Sequence, residues 1–335
     1  MPAGLRVKQL AVVPNLKMPA FDKKIKETTI TMRKLQYCLV LIGLSFCLKT
    51  SAQNGFSGKL QVDYVPFSNY VRPVDSLKTG STSNFKRIQA SFSIPLSTKM
   101  HELGRPVIWA LGLDGSYAQM TNRNYTEKIF PEEMLNAQIG LMHSRPIGKT
   151  WSIMAMASVG IYTDMEKISS DDVLAQGGVL FIKHFNPRLA FGFGPVLTNA
   201  FGTPMVLPGL YFDWVTQGKY KLHINFPQGM EFGVKMSDVI SLNAVVELSG
   251  MTAEVNRENK SMILGYQQII AGLRPEFKIS KSLTFQLTAG TTLVRSFSLT
   301  DRKISAIFKQ KDHADPRFTT AAYGSAALKW NFSKK

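Results

Sequence analysis

Five histidines, His101, His143, His184, His223 and His313, are the first residues in this 335-residue chain that could do chemistry. They are scattered, none pairs with a cysteine, and no His-Glu-x-x-His spacing occurs, so the pattern that grips a zinc ion is missing. His143-Ser144 is the one adjacent Ser and His, the types a hydrolase uses as nucleophile and base. On an extended strand neighbouring side chains point to opposite faces, so these two cannot serve each other. Phe191-Gly192-Phe193-Gly194 supplies glycines without the Lys-Ser or Lys-Thr, and without the helix, that a phosphate-cradling loop needs. Strand glycines that allow close packing or curvature fit better. Asp301, Asp312 and Asp315 could face a calcium ion, but Arg302, Lys303, Lys309, Lys311 and Arg317 crowd them, which describes a solvated loop. The sequence therefore predicts no cofactor, no metal and no catalytic residue, with a membrane-embedded hydrolase as the remote alternative.

What remains are charges set at alternate positions. Arg87, Asp114, Glu247, Arg274, Glu276 and Lys278 each fall on the polar face of a segment whose other face is apolar. Both signs inside one enclosed space can pair into a self-satisfied polar core, or line a channel with an electrostatic preference. These six are the candidate lumen-lining residues.

The elements that would position them have a period of two. In Ser282 to Leu293, Leu283, Phe285, Leu287, Ala289 and Leu293 take one side, while Thr284, Gln286, Thr288, Gly290 and Thr292 take the other. The same alternation recurs from Phe56–Tyr64 to Ala322–Phe332, giving fourteen candidate strands near the roughly 9 to 11 residues that cross a bilayer. Short turns near 145–150, 186–188, 216–219, 236–239 and 279–282 alternate with long connections near 66–84, 120–133, 163–172, 252–261 and 298–317. Short turns at one end and long loops at the other characterise a transmembrane β-barrel. Two connections break the pattern: Ser97 to Arg105 is long for its side and Pro227-Gln228-Gly229 is short. The strands around the latter count about seven residues each, so that hairpin either belongs to a fourteen-strand wall or folds aside to leave twelve; fourteen is preferred. Tyr64, Trp109, Tyr117, Trp151, Tyr162, Trp214, Trp330 and Phe332 lie near strand ends and are expected to form interfacial girdles. The expected fold is thus all-β, an up-and-down antiparallel transmembrane barrel of 12–14 strands.

The amino-terminal region reads as an address. Met32-Arg33-Lys34, the apolar run Leu39 to Leu48 and the small residues Thr50-Ser51-Ala52 form the basic, apolar and cleavage regions of a secretory signal peptide, residues 32–52. The apolar run is too short for a spanning helix of about 20 residues. Residues 1–31, basic and without hydrophobic period, are expected to be an over-extended upstream segment, and residues 53–335 the barrel. Cys38 and Cys47 both lie within the leader, so the barrel can hold neither a disulfide nor a cysteine metal site. Its net charge is +10 rather than the +17 of the whole chain. In an exported protein that basicity suits anionic headgroups and lipopolysaccharide phosphates better than nucleic acid. Charged residues are only 19% of the chain, and the mean hydropathy is −0.03, values unlike those of a helical membrane protein.

The basic start, the apolar run, the Thr50-Ser51-Ala52-Gln53 junction, the amphipathic strands and the ending Leu328-Lys329-Trp330-Asn331-Phe332 resemble bacterial outer-membrane β-barrel proteins, in particular uncharacterised barrel families of bacteroidete-type bacteria. Ser333-Lys334-Lys335 after the last aromatic depart from the usual terminal pattern. The resemblance implies the outer membrane as location and its lipid, lipopolysaccharide and barrel-assembly machinery as partners; it carries no functional residues. Three functions stay open at this point: a passive or gated channel for small solutes, a non-conducting structural or binding barrel acting through long loops, and the hydrolase. Amino-terminal sequencing of the exported protein is expected to begin at Gln53; a start at Met1 would contradict the leader.

Overall fold

The computed structural model describes residues 55–125, 130–199, 204–257, 260–301 and 315–332. The leader, residues 1–31, Asp312 and His313 lie outside them. Residues that alternate in polarity are satisfied by extended backbone with each face in its own solvent, and the described chain is almost entirely strand. Fourteen long strands follow one another: β1 (Phe56–Val71), β2 (Lys78–Met100), β3 (Pro106–Gln119), β4 (Glu133–Pro146), β5 (Trp151–Thr163), β6 (Val173–Asn186), β7 (Leu189–Thr198), β8 (Met205–Val215), β9 (Tyr220–Phe226), β10 (Gly229–Lys235), β11 (Ile240–Arg257), β12 (Lys260–Lys278), β13 (Leu283–Asp301) and β14 (Ala322–Phe332). Each pairs antiparallel with its neighbours in sequence, and β1 pairs with both β2 and β14, the latter from Phe56↔Phe332 to Tyr64↔Gly324. The ring is closed, so no strand stands at the end of an open sheet. The short β9–β10 hairpin is built into the wall, paired with β8 on one side and β11 on the other, so the count is fourteen rather than twelve.

The two faces separate cleanly. On β1, Leu60 and Val62 point outward at 44% and 46% exposure while Gln61 and Asp63 are buried inside. Trp109, Trp151, Trp214 and Trp330 all lie within four residues of strand ends on the short-turn side, and Tyr64 and Tyr117 stand higher on the wall. Trp330 lies flat across Gly58, its cross-strand partner, whose Cβ would collide with the indole. Tyr162 corrects the expected girdle: it is buried and points inward, because its hydroxyl donates to Gln138 Oε1 at 2.9 Å. At the short-turn end Lys235 Nζ donates to Asp238 Oδ1 at 2.6 Å, which holds the exposed Asp238 carboxyl below the usual carboxylate range.

Several expected loops are strand. Residues 66–84 reduce to the connection 72–77, and β11 and β12 stay paired as far as Arg257↔Lys260. The polar side chains of these stretches suggested solvent; instead they extend the ladder beyond the bilayer, with 18 and 19 residues in β11 and β12, more than a crossing needs.

The long-loop half is not a simple tube. Beyond Glu247, β11 leaves β10 and swings across the lumen: Glu254 bridges Thr163 of β5 in parallel register. With its amide turned to match, Asn136 of β4 donates to Thr252 O (3.1 Å) and accepts from Thr252 N (3.2 Å), doing for β11 what a neighbouring strand would. In this half, β11–β14 and β1–β5 therefore enclose a nine-strand inner barrel. It is filled with apolar side chains, among them Phe85, Met134, Met251, Tyr266, Phe297 and Phe318. Phe85 stacks on Tyr266 at 4.4 Å and Phe130 on Phe297 at 4.3 Å. No member of this cluster comes from β6–β10. Replacing Phe297 with Ala is expected to lower stability by about 3–5 kcal/mol in chemical unfolding of the lipid-reconstituted barrel, whereas Leu287→Ala on the outer face changes it far less; equal losses would contradict an apolar plug.

Candidate functional site: the lumen

The lumen has a packed side and a wet side. On the packed side Asp63 and Arg87 face each other across β1 and β2, with Arg87 Nε donating to Asp63 Oδ2 at 2.6 Å and side chains 0% and 5% exposed. Gln61 Nε2 and the Tyr323 hydroxyl donate to Asp63 Oδ1 at 2.6 and 2.8 Å, so the carboxylate is saturated. Above this pair lies Arg295, 1% exposed. Its Nη1 donates to Ser68 Oγ and Ser83 O, each at 2.9 Å, and its Nη2 to Asn84 O at 2.8 Å. The guanidinium sits 4.3 Å from the Phe318 ring centroid. Carbonyl dipoles and an aromatic face, not a carboxylate, hold this charge among the described residues.

A second network ties the short hairpin into the wall. Arg274 Nη2 donates to Glu247 Oε1 at 2.6 Å and Nε to Thr288 Oγ1 at 3.0 Å, while Nη1 lies 3.5 Å from Glu231 Oε2. Glu231 Oε1 pairs with Lys221 Nζ at 2.5 Å, and Lys221 reaches Glu276 Oε2 at 3.7 Å. Gln286 Nε2 closes the chain on Glu276 Oε1 at 2.5 Å. One chain of charges thus links β9 through β13.

The wet side is lined by β5–β10. Met156 faces inward yet is 37% exposed, and the facing pair Asp213 and His223, 3.4 Å apart, is 42% and 44% exposed. Higher up, where this side meets β4, Gln138 Oε1 accepts from Ser158, Tyr162 and Gln176, a polar cluster beside the inward Asp114 carboxyl. Lower, Leu180, Ile182, Ala190 and Val196 form a small apolar patch on the inner face. The glycines of β7 serve this surface: a Cβ on Gly194 would run into Val179 O, so the strands approach more closely than an alanine allows.

Of the six charges expected in the lumen, Arg87, Glu247, Arg274 and Glu276 join these networks. Asp114 faces inward opposite Gln138. Lys278 is exposed on the last rung of β12, at the short-turn mouth, apart from the rest. Asp63, Lys221, Glu231 and Arg295 were not among the six. Asp63 shares the polar face of Gln61 and was visible there; Arg295 was hidden by a bulge. The Ser and His that approach each other are Ser152 and His184, Nε2 to Oγ 3.1 Å, with Arg105 Nη1 donating to the same hydroxyl at 2.9 Å. Among the described residues no carboxylate bonds His184, so the pair anchors the Arg105 turn. His143 bonds Ile108 O at 3.2 Å and stacks on Trp109. Among the described residues, no group of three His, Cys, Asp or Glu side chains converges on a possible metal position.

A family model described as DUF6268, a domain of unknown function, matches residues 48–331. The chain belongs to that family. No curated protein matches it in sequence. Among solved structures, a FadL homologue of Pseudomonas aeruginosa is similar over 84% of this chain and 90% of its own, at 10% identity and a TM-score of 0.39. The KdgM porin is similar over 82% of this chain and 99% of its own, at 5% identity and a TM-score of 0.30. The outer membrane protease OmpT of Escherichia coli is similar over 85% of this chain and 99% of its own, at 10% identity and a TM-score of 0.24. Each is a likeness of fold at low identity, and function is taken below from the barrel's own geometry.

Asp63→Ala leaves Arg87 charged and buried without its partner and is expected to cost about 3–5 kcal/mol in unfolding of the reconstituted barrel. Asp213→Ala, on the wet side, is expected to cost little. Equal effects would contradict the division of the lumen.

Proposed function

We propose that this DUF6268 protein is an outer-membrane barrel that acts as a conduit for small solutes, closed along its axis in the conformation described. The observation that carries this reading is the wet lobe inside β5–β10: inward side chains there, Asp213, His223 and Met156, stay accessible to water within a closed wall. A barrel built only as a scaffold has no need to keep half its interior hydrated. The short turns would lie on the periplasmic side and the long loops outside, so the lobe opens to the periplasm and the apolar plug bars the outer end. No catalytic role is proposed, since Ser152 and His184 lack an acid partner among the described residues.

A second reading, a non-conducting binding barrel, is favoured by the plug itself, whose stacked rings Phe85, Tyr266, Phe130 and Phe297 are sealed from solvent. Planar-bilayer recording separates the two. The wild-type barrel is expected to show few or brief openings, and the double variant Phe85→Ala/Tyr266→Ala, which hollows the plug, sustained unitary steps. A silent double variant that still migrates as a folded, heat-modifiable barrel would remove the conduit and leave the binding barrel.

A further inference from the structure

The wall is not equally tall around the ring. β9 and β10 hold 7 residues each, between β8 with 11 and β11 with 18. β9 follows β8 only as far as Phe226↔Leu210, so residues 205–209 of β8 have a strand partner on the β7 side alone. β10 follows β11 only to Gly229↔Glu247; Leu248 N donates to Gln228 O at 2.8 Å, and β11 then turns inward to Asn136 and Thr163. Among the described residues, no strand fills the wall between β8 and β11 above the turn from Phe226 to Gly229.

The height of this notch follows from Trp214, near the short-turn end of β8. Leu210, level with the turn, is four residues above Trp214. At roughly 3.3 Å per residue and a tilt of about 40° that is about 10 Å, within an apolar band about 25 Å tall. Val206, on the same outward face and four residues higher still, is 51% exposed, so the apolar exterior continues above the turn. The notch opens beside acyl chains rather than headgroups.

An open strand edge in hydrocarbon leaves N–H and C=O groups unpaired, at several kcal/mol each, and is tolerated only where it is covered by protein or lines a wet cavity. The cavity behind this edge is the wet lobe that exposes Met156. Its wall at the level of the notch and above carries the closely packed Leu180 and Val196, then the Gln138, Tyr162 and Gln176 cluster beside the inward Asp114 carboxyl. The lumen charges Lys221, His223, Glu231 and Asp213 sit below the turn, and Asp114 stands above it beside Gln138.

We propose that the notch between β8 and β11 is a lateral portal, through which an uncharged amphipathic small molecule, an apolar body bearing a hydroxyl or amide, passes between the bilayer and the wet lobe. An ion could not follow that route, because leaving water for acyl chains costs it too much. The Gln138 and Gln176 amides and the Tyr162 hydroxyl, with the Asp114 carboxyl beside them, answer the hydroxyl or amide, and the apolar patch answers the body. This inference rests on the conduit reading and adds its second exit.

The test measures depth and binding. Residues 53–335 contain no cysteine, so single cysteines can be labelled cleanly. Gln228→Cys and, separately, Val206→Cys carry a bimane fluorophore in phosphatidylcholine vesicles, with Val74→Cys in the 72–77 connection as the aqueous control. Lipid brominated at mid-chain is expected to quench the labels at 228 and 206, and aqueous iodide only the label at 74. In the same vesicles 2-naphthol is expected to bind saturably, and Leu207→Trp, which narrows the notch from the inner face, to abolish that binding. Quenching at 228 by iodide with no effect of bromolipid, or 2-naphthol binding unchanged by Leu207→Trp, would overturn the portal. Portal failure with conducting Phe85→Ala/Tyr266→Ala barrels leaves the conduit standing, whereas silent barrels count against the conduit alone.

Discussion

Closing an antiparallel sheet on itself turns one face of every strand inward, and each polar group placed there must find a partner or keep its water. That constraint divides this barrel. Asp63, Arg87 and Arg295 are sealed from solvent and held by carboxylate, carbonyl or aromatic partners, with the Arg295 Nε left without a hydrogen bond. Asp213 and His223 stand 3.4 Å apart and remain wet. Burying an unpaired charge would cost more than most single contacts return, so the sealed charges require their partners and the open side requires its water.

The division is made by one strand. β11 belongs to the outer wall as far as Glu247 and to an inner barrel beyond it, and it changes allegiance where β10 ends. Two devices make that departure tolerable. Asn136 supplies a donor and an acceptor to the β11 backbone where a strand would have stood. The Arg274–Glu231–Lys221 chain holds the short hairpin to β11 and β12 from the inside, where the hairpin's own ladder is only a few rungs long. The plug, the wet lobe and the notch are consequences of the same swing.

Much of this was legible in the sequence, because a period of two is a direct statement about faces. In β13 the alternation places Leu287 outside and Gln286, Thr288 and Thr292 inside, and so they are found. The reading fails two residues later, at Val294. Between Ile269 and Ile270 of β12 the register slips, so that Leu293 and Val294 both face outward and the phase reverses. Arg295, which strict alternation sends into lipid, is thereby turned inward to become one of the most deeply buried side chains. A bulge inserts one residue without marking the pattern. Tyr162 shows a different limit: its position near a strand end is that of a girdle residue, and only the partner Gln138 across the sheet draws it inward. The two seven-residue strands were visible as too short to span. That they remain in the wall, and so leave it low, depends on pairings between strands far apart in the chain.

The central claim is that half of the lumen holds water and half is packed. It is tested most directly by the reaction of single cysteines with a membrane-impermeant maleimide added to the folded, reconstituted barrel. Met156→Cys and His223→Cys are predicted to react rapidly, and Val245→Cys and Ser298→Cys to remain unreactive until the protein is unfolded. Comparable rates at all four positions would mean one continuous aqueous lumen, and would contradict the account.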